Sequence, residues 1–163
     1  MKKYKWIVIL TNLIIVIGIF NYSVIDKEKT ISDGILILLE LAPVDPRSLM
    51  QGDYMRLEYK ISEMRSDEIQ FIPTSGYCIV LIDNNGVASI RRYQDSPDPL
   101  NNNEHPIKYR KNGRSINIGA ESYFFQEGED MKFNQAKYGG LRVDKKGNSV
   151  LTGLYDKNRQ KIE

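Results

Sequence analysis

The chain of 163 residues has one cysteine, one histidine and one tryptophan. A single cysteine excludes an intramolecular disulfide framework. One cysteine with one histidine excludes a zinc site of the usual Cys/His type within one chain. No phosphate-binding glycine loop is present; Gly139-Gly140 has neither the pattern nor a following helix. Internal repeats and low-complexity tracts are missing too. Strong charge of one sign is also missing, because 23 basic residues face 21 acidic ones. Lys2, Lys3 and Lys5 precede the first apolar run, so the remainder has 20 basic and 21 acidic residues. A near-neutral body has no strong electrostatic pull on nucleic acid, so no nucleic-acid partner is expected. The length excludes a large multidomain enzyme, while a hydrophobic content of 41% suffices for one core.

What the chain does have is an uncharged apolar run from Trp6 to Ile25 (WIVILTNLIIVIGIFNYSVI). A helix over this run is about 30 Å long, the thickness of a bilayer's hydrocarbon. A cleaved signal peptide would have a shorter apolar core and small residues of A-x-A type at its end. Here the exit reads FNYSVIDKEK. The run is apolar on every side, which disfavours a soluble core helix. The reading is an uncleaved signal anchor. The lysine flank stays cytoplasmic and the rest is exported. The organisation follows: residues 1–25 as basic tip and anchor, 26–33 as a polar linker, and 34–163 as an exported β-rich domain.

The exported part is patterned mostly as strands. Residues 34–42 (GILILLELA) read as a strand buried on both faces. Residues 54–62 (YMRLEYKIS) alternate, with Met55, Leu57, Tyr59 and Ile61 on one face and Arg56, Glu58 and Lys60 on the other. Residues 77–82 and 87–93 flank DNNG, 107–110 and 115–118 flank KNGR, and 141–143 and 150–154 flank DKKGNS, giving three hairpins. Residues 94–106 read as a loop and 127–138 as a helix with acids in its first turn. The expected fold is mostly β. It is an antiparallel sandwich or barrel-like sheet with one short helix, preceded by a single N-terminal transmembrane helix.

Gly52-Asp53-Tyr54-Met55-Arg56-Leu57-Glu58-Tyr59 spells G-D-Y-x-x-L-x-Y. With Pro43-Val44-Asp45-Pro46-Arg47 upstream, and Tyr123-Phe124, Glu127-Gly128, Val143-Asp144, Gly147 and Gly153-Leu154 downstream, the chain resembles the GDYXXLXY family of bacterial membrane-anchored proteins. The resemblance implies an N-terminal membrane segment and a multi-pass membrane partner, and it implies no activity. On the residues themselves, burial accounts for Leu57 and Tyr59, and a tight turn accounts for Gly52-Asp53.

Catalytic constellations are thin. A signal-peptidase-like serine protease needs a hydroxyl nucleophile where Pro43 stands, and Ser48 is at the wrong offset. Cys78 lies among core-type residues and His105 in a loop, so no Cys–His pair is expected. The acids at Glu127, Glu129 and Asp130 lack calcium-loop spacing. No cofactor and no metal are therefore expected. The binding candidates are Asp45, Arg47, Gly52, Asp53, Tyr54, Tyr123, Glu127 and Gly128, with Leu57 and Tyr59 as the structural part of the motif. The expected function is a non-catalytic, membrane-anchored envelope protein whose β domain binds a multi-pass membrane protein or another envelope component. The alternatives are an envelope hydrolase using Asp45 and Asp53 as acid and base, or a small-ligand or cation module with Arg47 and Glu127 at its mouth.

Overall fold

A computed structural model of the chain describes residues 2–42, 54–62, 71–113, 115–126 and 128–163. Helix α1 (Lys2–Asp33) has 32 residues. It is long and apolar enough to cross a membrane, with a mean hydropathy of 2.2 over its most apolar window and none of that window buried. Residues 26–33, expected as a linker, continue this helix instead. They contain no glycine or proline, and Lys27, Glu28 and Lys29 are good helix formers, so nothing stops the helix before Gly34. Its last turns pack on the sheet through Thr30, a buried residue in a helix otherwise exposed over residues 4–33.

Nine strands follow among the described residues: β1 (Ile35–Glu40), β2 (Tyr54–Arg56), β3 (Ser75–Ile82), β4 (Ala88–Gln94), β5 (Glu104–Asn112), β6 (Ser115–Asn117), β7 (Ser122–Phe124), β8 (Tyr138–Val143) and β9 (Ser149–Tyr155). They form three antiparallel groups, ordered β1-β8-β9, β2-β7 and β4-β3-β5-β6. A bridge from Leu38 to Val87 joins β1 to the start of β4. The Lys108 amide donates to the Gly147 carbonyl at 2.8 Å, joining β5 to the β8–β9 turn. With these links the sheets curl into a half-barrel, which is the barrel-like form of the expected fold.

The core lies inside this curl, built from Ile37 and Leu39 of β1, Cys78 and Val80 of β3, Ile107 and Tyr109 of β5, and Leu141 and Leu154 of β8 and β9. The alternating segment keeps its faces: Met55, Leu57, Tyr59 and Ile61 are all buried, while Arg56, Glu58 and Lys60 are exposed. It is not one strand, however. After β2 it makes a single bridge, Leu41 to Tyr59, and ends in a 3-10 turn at Lys60–Ser62. The three expected hairpins all form.

Two elements differ from expectation. The helix expected over 127–138 is reduced to α2 (Asp130–Phe133), because Tyr138 is drawn into β8 opposite Glu40. His105 lies on β5, not in a loop, with Pro106 beside it. Proline is accepted there because Pro106 has the same parity as Lys108, whose amide faces away from β3; the missing donor falls on the outer edge.

The Asp- and Pro-rich connection between β4 and β5 is held by Arg92. Its guanidinium contacts the Glu104 carboxylate at 2.6 Å and donates to the Pro99 carbonyl at 2.9 Å. The Arg92 hydrogen bond first, and the Asn101 amide second, hold the Glu104 carboxyl down at about 2. A depressed carboxyl stabilises the fold fully above its unfolded value of about 4.3, and that contribution is lost as pH falls toward 2. Melting temperature should therefore decline between roughly pH 4.5 and pH 2. In Glu104→Gln that part of the decline should be absent; an unchanged pH profile would remove this role.

Candidate functional site

The octapeptide motif is only partly within the described residues. Asp45, Arg47, Gly52, Asp53 and Glu127 lie outside them, so the alternatives built on Asp45 with Asp53 and on Arg47 with Glu127 fall there as well. Tyr54, Leu57, Tyr59, Tyr123 and Gly128 are described.

The structure brings together two segments that the sequence keeps far apart. β2 pairs with β7, setting Tyr54 opposite Phe124, Met55 opposite Tyr123 and Arg56 opposite Ser122. Cross-strand partners share a face, so this ribbon has an inner and an outer side. On the inner side Met55 is buried, and Tyr123 packs edge-on against Phe133 of α2 at 5.1 Å between ring centroids. Phe125 adds a second ring contact with Phe133 at 5.4 Å. On the outer side the Tyr54 and Phe124 rings meet at 5.7 Å, with Arg56 exposed on the same strand. Phe124 is 73% exposed. Phe124 and Arg56 are not among the binding candidates, although Arg56 falls on the polar face of its segment; which of Tyr123 and Phe124 faces outward is not readable from a three-residue strand.

The end of the motif is structural. Leu57 is buried and its amide donates to the Glu121 carbonyl at 2.9 Å. Tyr59 is fully buried, and its hydroxyl donates to the Ala120 carbonyl at 2.7 Å. Burial pushes its ionisation well above the ordinary tyrosine value. Its ring lies where a side chain at position 139 would be: a Cβ on Gly139 would come within 2.8 Å of Tyr59 Cε1. Gly128 has φ +85° in the turn before α2, a conformation that L side chains rarely adopt.

The chemical groups weighed from the sequence are placed as follows. Cys78 is buried and its thiol is pushed up to about 12, so it stays protonated at neutral pH. Its cross-strand neighbour is Ile107, and Val80 faces His105. Desolvation lowers the His105 pKa. Lys60 contacts Glu40 at 2.8 Å, and Lys137 contacts the same oxygen at 3.0 Å. These partners, Lys60 first, hold the Glu40 carboxyl below its usual range. Lys60 thus serves an ion pair on the surface. Among the described residues no group of three or more His, Cys, Asp or Glu side chains is placed to hold a metal ion.

No curated protein and no solved structure matches the chain. A family described as "GDYXXLXY protein" matches residues 16–154, from the second half of the apolar run in α1 to β9. That span takes in the octapeptide and nearly all of the β domain, and the chain belongs to the GDYXXLXY family.

Proposed function

We propose that this is a single-pass, membrane-anchored, non-catalytic protein that docks an integral membrane partner through the outer face of the β2–β7 ribbon. The N-terminus is cytoplasmic and the β domain lies outside the cytoplasmic membrane of a bacterium. The apolar run in α1 supports the anchor, and Lys2, Lys3 and Lys5 on one flank support the orientation. The observation that carries the docking surface is the Tyr54–Phe124 pair, two aromatic rings standing outside the core beside Arg56. Aromatic and arginine side chains are the groups that most often anchor a protein interface. The strand that bears Tyr54 and Arg56 is fixed from behind by Met55, Leu57 and Tyr59, so the surface is presented on a rigid support.

The test is capture from membranes in mild detergent after brief cross-linking. The full chain should retain an integral membrane protein of several spans. Phe124→Ser should reduce the capture roughly tenfold, as expected for loss of one interface anchor. Because Phe124 is exposed, its melting temperature should stay unchanged. Equal capture by the variant, or recovery of the chain alone, overturns the reading.

A further inference from the structure

The apolar run ends at Ile25, and α1 continues unbroken to Asp33. Over residues 26–33 a helix rises about 12 Å, while the headgroup layer of a bilayer is about 5–7 Å deep on each side. Asp26, Lys29 and Thr30 therefore stand at headgroup level or just above it when the run spans the hydrocarbon. Beside them the helix and the β8–β9 turn enclose a cavity of about 570 Å³.

Three ammonium groups line it: Lys29 from the helix, and Lys145 and Lys146 from the turn. Asp26, Asp33 and Asp144 line it as well. The Asp144 carboxylate is committed to its own turn, accepting the Lys146 and Asn148 amides at 2.8 Å each and the Asn148 side-chain amide at 2.7 Å. Among the described residues, none of the three lysines, nor Asp26 or Asp33, is in an ion pair. Three lysine cations thus face three aspartates, two of them with no hydrogen-bond or ion-pair partner for the carboxylate among the described residues, and His105 also lines the wall. Ile35 and Val143, a cross-strand pair, add an apolar portion.

A simple anion would satisfy the lysines but would be repelled by the two aspartates. A group carrying one phosphate and one primary amine satisfies both sets. Ile35, 38% exposed, offers a surface to the first carbons of a glycerol backbone, with the buried Val143 behind it. We propose that this junction cavity binds a phosphoethanolamine headgroup of the surrounding phospholipid. The proposal rests on the membrane-anchor reading above.

The full chain would be placed in nanodiscs holding equal amounts of phosphatidylethanolamine and phosphatidylglycerol, and the lipid retained on its release read by native mass spectrometry. Retention of phosphatidylethanolamine over phosphatidylglycerol is expected. The combined variant Lys29→Gln/Lys145→Gln/Lys146→Gln should lower that retention roughly tenfold. Lys157→Gln, which removes a charge outside the cavity, should leave it unchanged. Equal retention of the two lipids, or equal retention by the triple variant, overturns the headgroup site. So does equal loss in Lys157→Gln, which would mean that general charge is responsible. Soluble glycerophosphoethanolamine added to the detergent-solubilised chain should bind weakly; saturation without a bilayer would assign the cavity to a free metabolite and overturn the lipid source. Alkaline carbonate washing of cell membranes separates the two readings. Release of the chain removes the anchor, whereas a retained chain with unselective lipid binding removes the headgroup site alone.

Discussion

Tyr59→Ala should lower the free energy of unfolding by about 3–5 kcal/mol, the usual cost of truncating a large buried aromatic. The ring is fully covered, and its hydroxyl closes a 2.7 Å hydrogen bond to Ala120, so truncation empties a buried space and leaves a buried carbonyl without its donor. The same packing makes Gly139 its counterpart. A methyl group there would lie 2.8 Å from Tyr59 Cε1 and 2.9 Å from its hydroxyl oxygen, and the hydrogen bond prevents the ring from retreating. Gly139→Ala should accordingly cost about 1–3 kcal/mol. The decisive measurement is the double variant in chemical unfolding. Once the ring is gone the methyl group has room, so Gly139→Ala should be nearly neutral in the Tyr59→Ala background. Strict additivity would show that the two positions do not press on each other.

Gly34→Ala should be nearly as damaging, and for a reason confined to the backbone. A Cβ on Gly34 would run into the Thr30 carbonyl oxygen and come within 3.0 Å of the Val143 carbonyl oxygen. Neither group is the flexible end of a side chain. One is bonded to the Gly34 amide at 3.0 Å, and the other belongs to the residue facing Ile35 across β1 and β8. The Gly34 carbonyl in turn accepts from the Arg142 guanidinium at 2.8 Å. This cation suits a helix C-terminus that has no basic residue in its own last turn. Forcing the methyl group in must push α1 away from the sheet, at a cost of about 1–3 kcal/mol. Two readings check it in the full chain in detergent: a lower melting temperature, and faster motion of a spin label at Lys29. A label as immobile as in the parent would mean that the joint absorbs the methyl group.

The sequence made the sheet legible wherever burial imposes a period. Met55, Leu57, Tyr59 and Ile61 are buried as their alternation implies, and Ile37, Leu38 and Leu39 of β1 are buried on both faces, whereas Ile35 and Leu36 at its start are exposed. The DNNG and DKKGNS turns were legible because each begins with an aspartate whose carboxylate accepts the amides two and four residues on. Three things escaped for physical reasons. The polarity of residues 26–33 concealed their helix propensity, which wins because the helix is already nucleated by the apolar run before it. The acids and the following glycine around 127–138 resemble helix signals, but pairing with β1 claims the far end of that segment as strand. The β2–β7 ribbon depends on a contact between residues nearly 70 positions apart, and no local pattern announces it. Of the candidate site, the ribbon half became visible through pairing, and it moves attention from Tyr123, whose ring packs on Phe133, to Phe124.

The unbroken passage from α1 into β1 also has a mechanical consequence. Where an anchor and a folded head are joined by a slack tether, the head samples every compass direction in the plane of the bilayer. Here the buried Thr30, the close approach at Gly34 and the Arg142 contact clamp the head to its stalk. On the membrane-anchor reading proposed above, any rotation or lean of the stalk would swing the aromatic ribbon with it, so a partner gripping the stalk would also set the azimuth at which the head is offered.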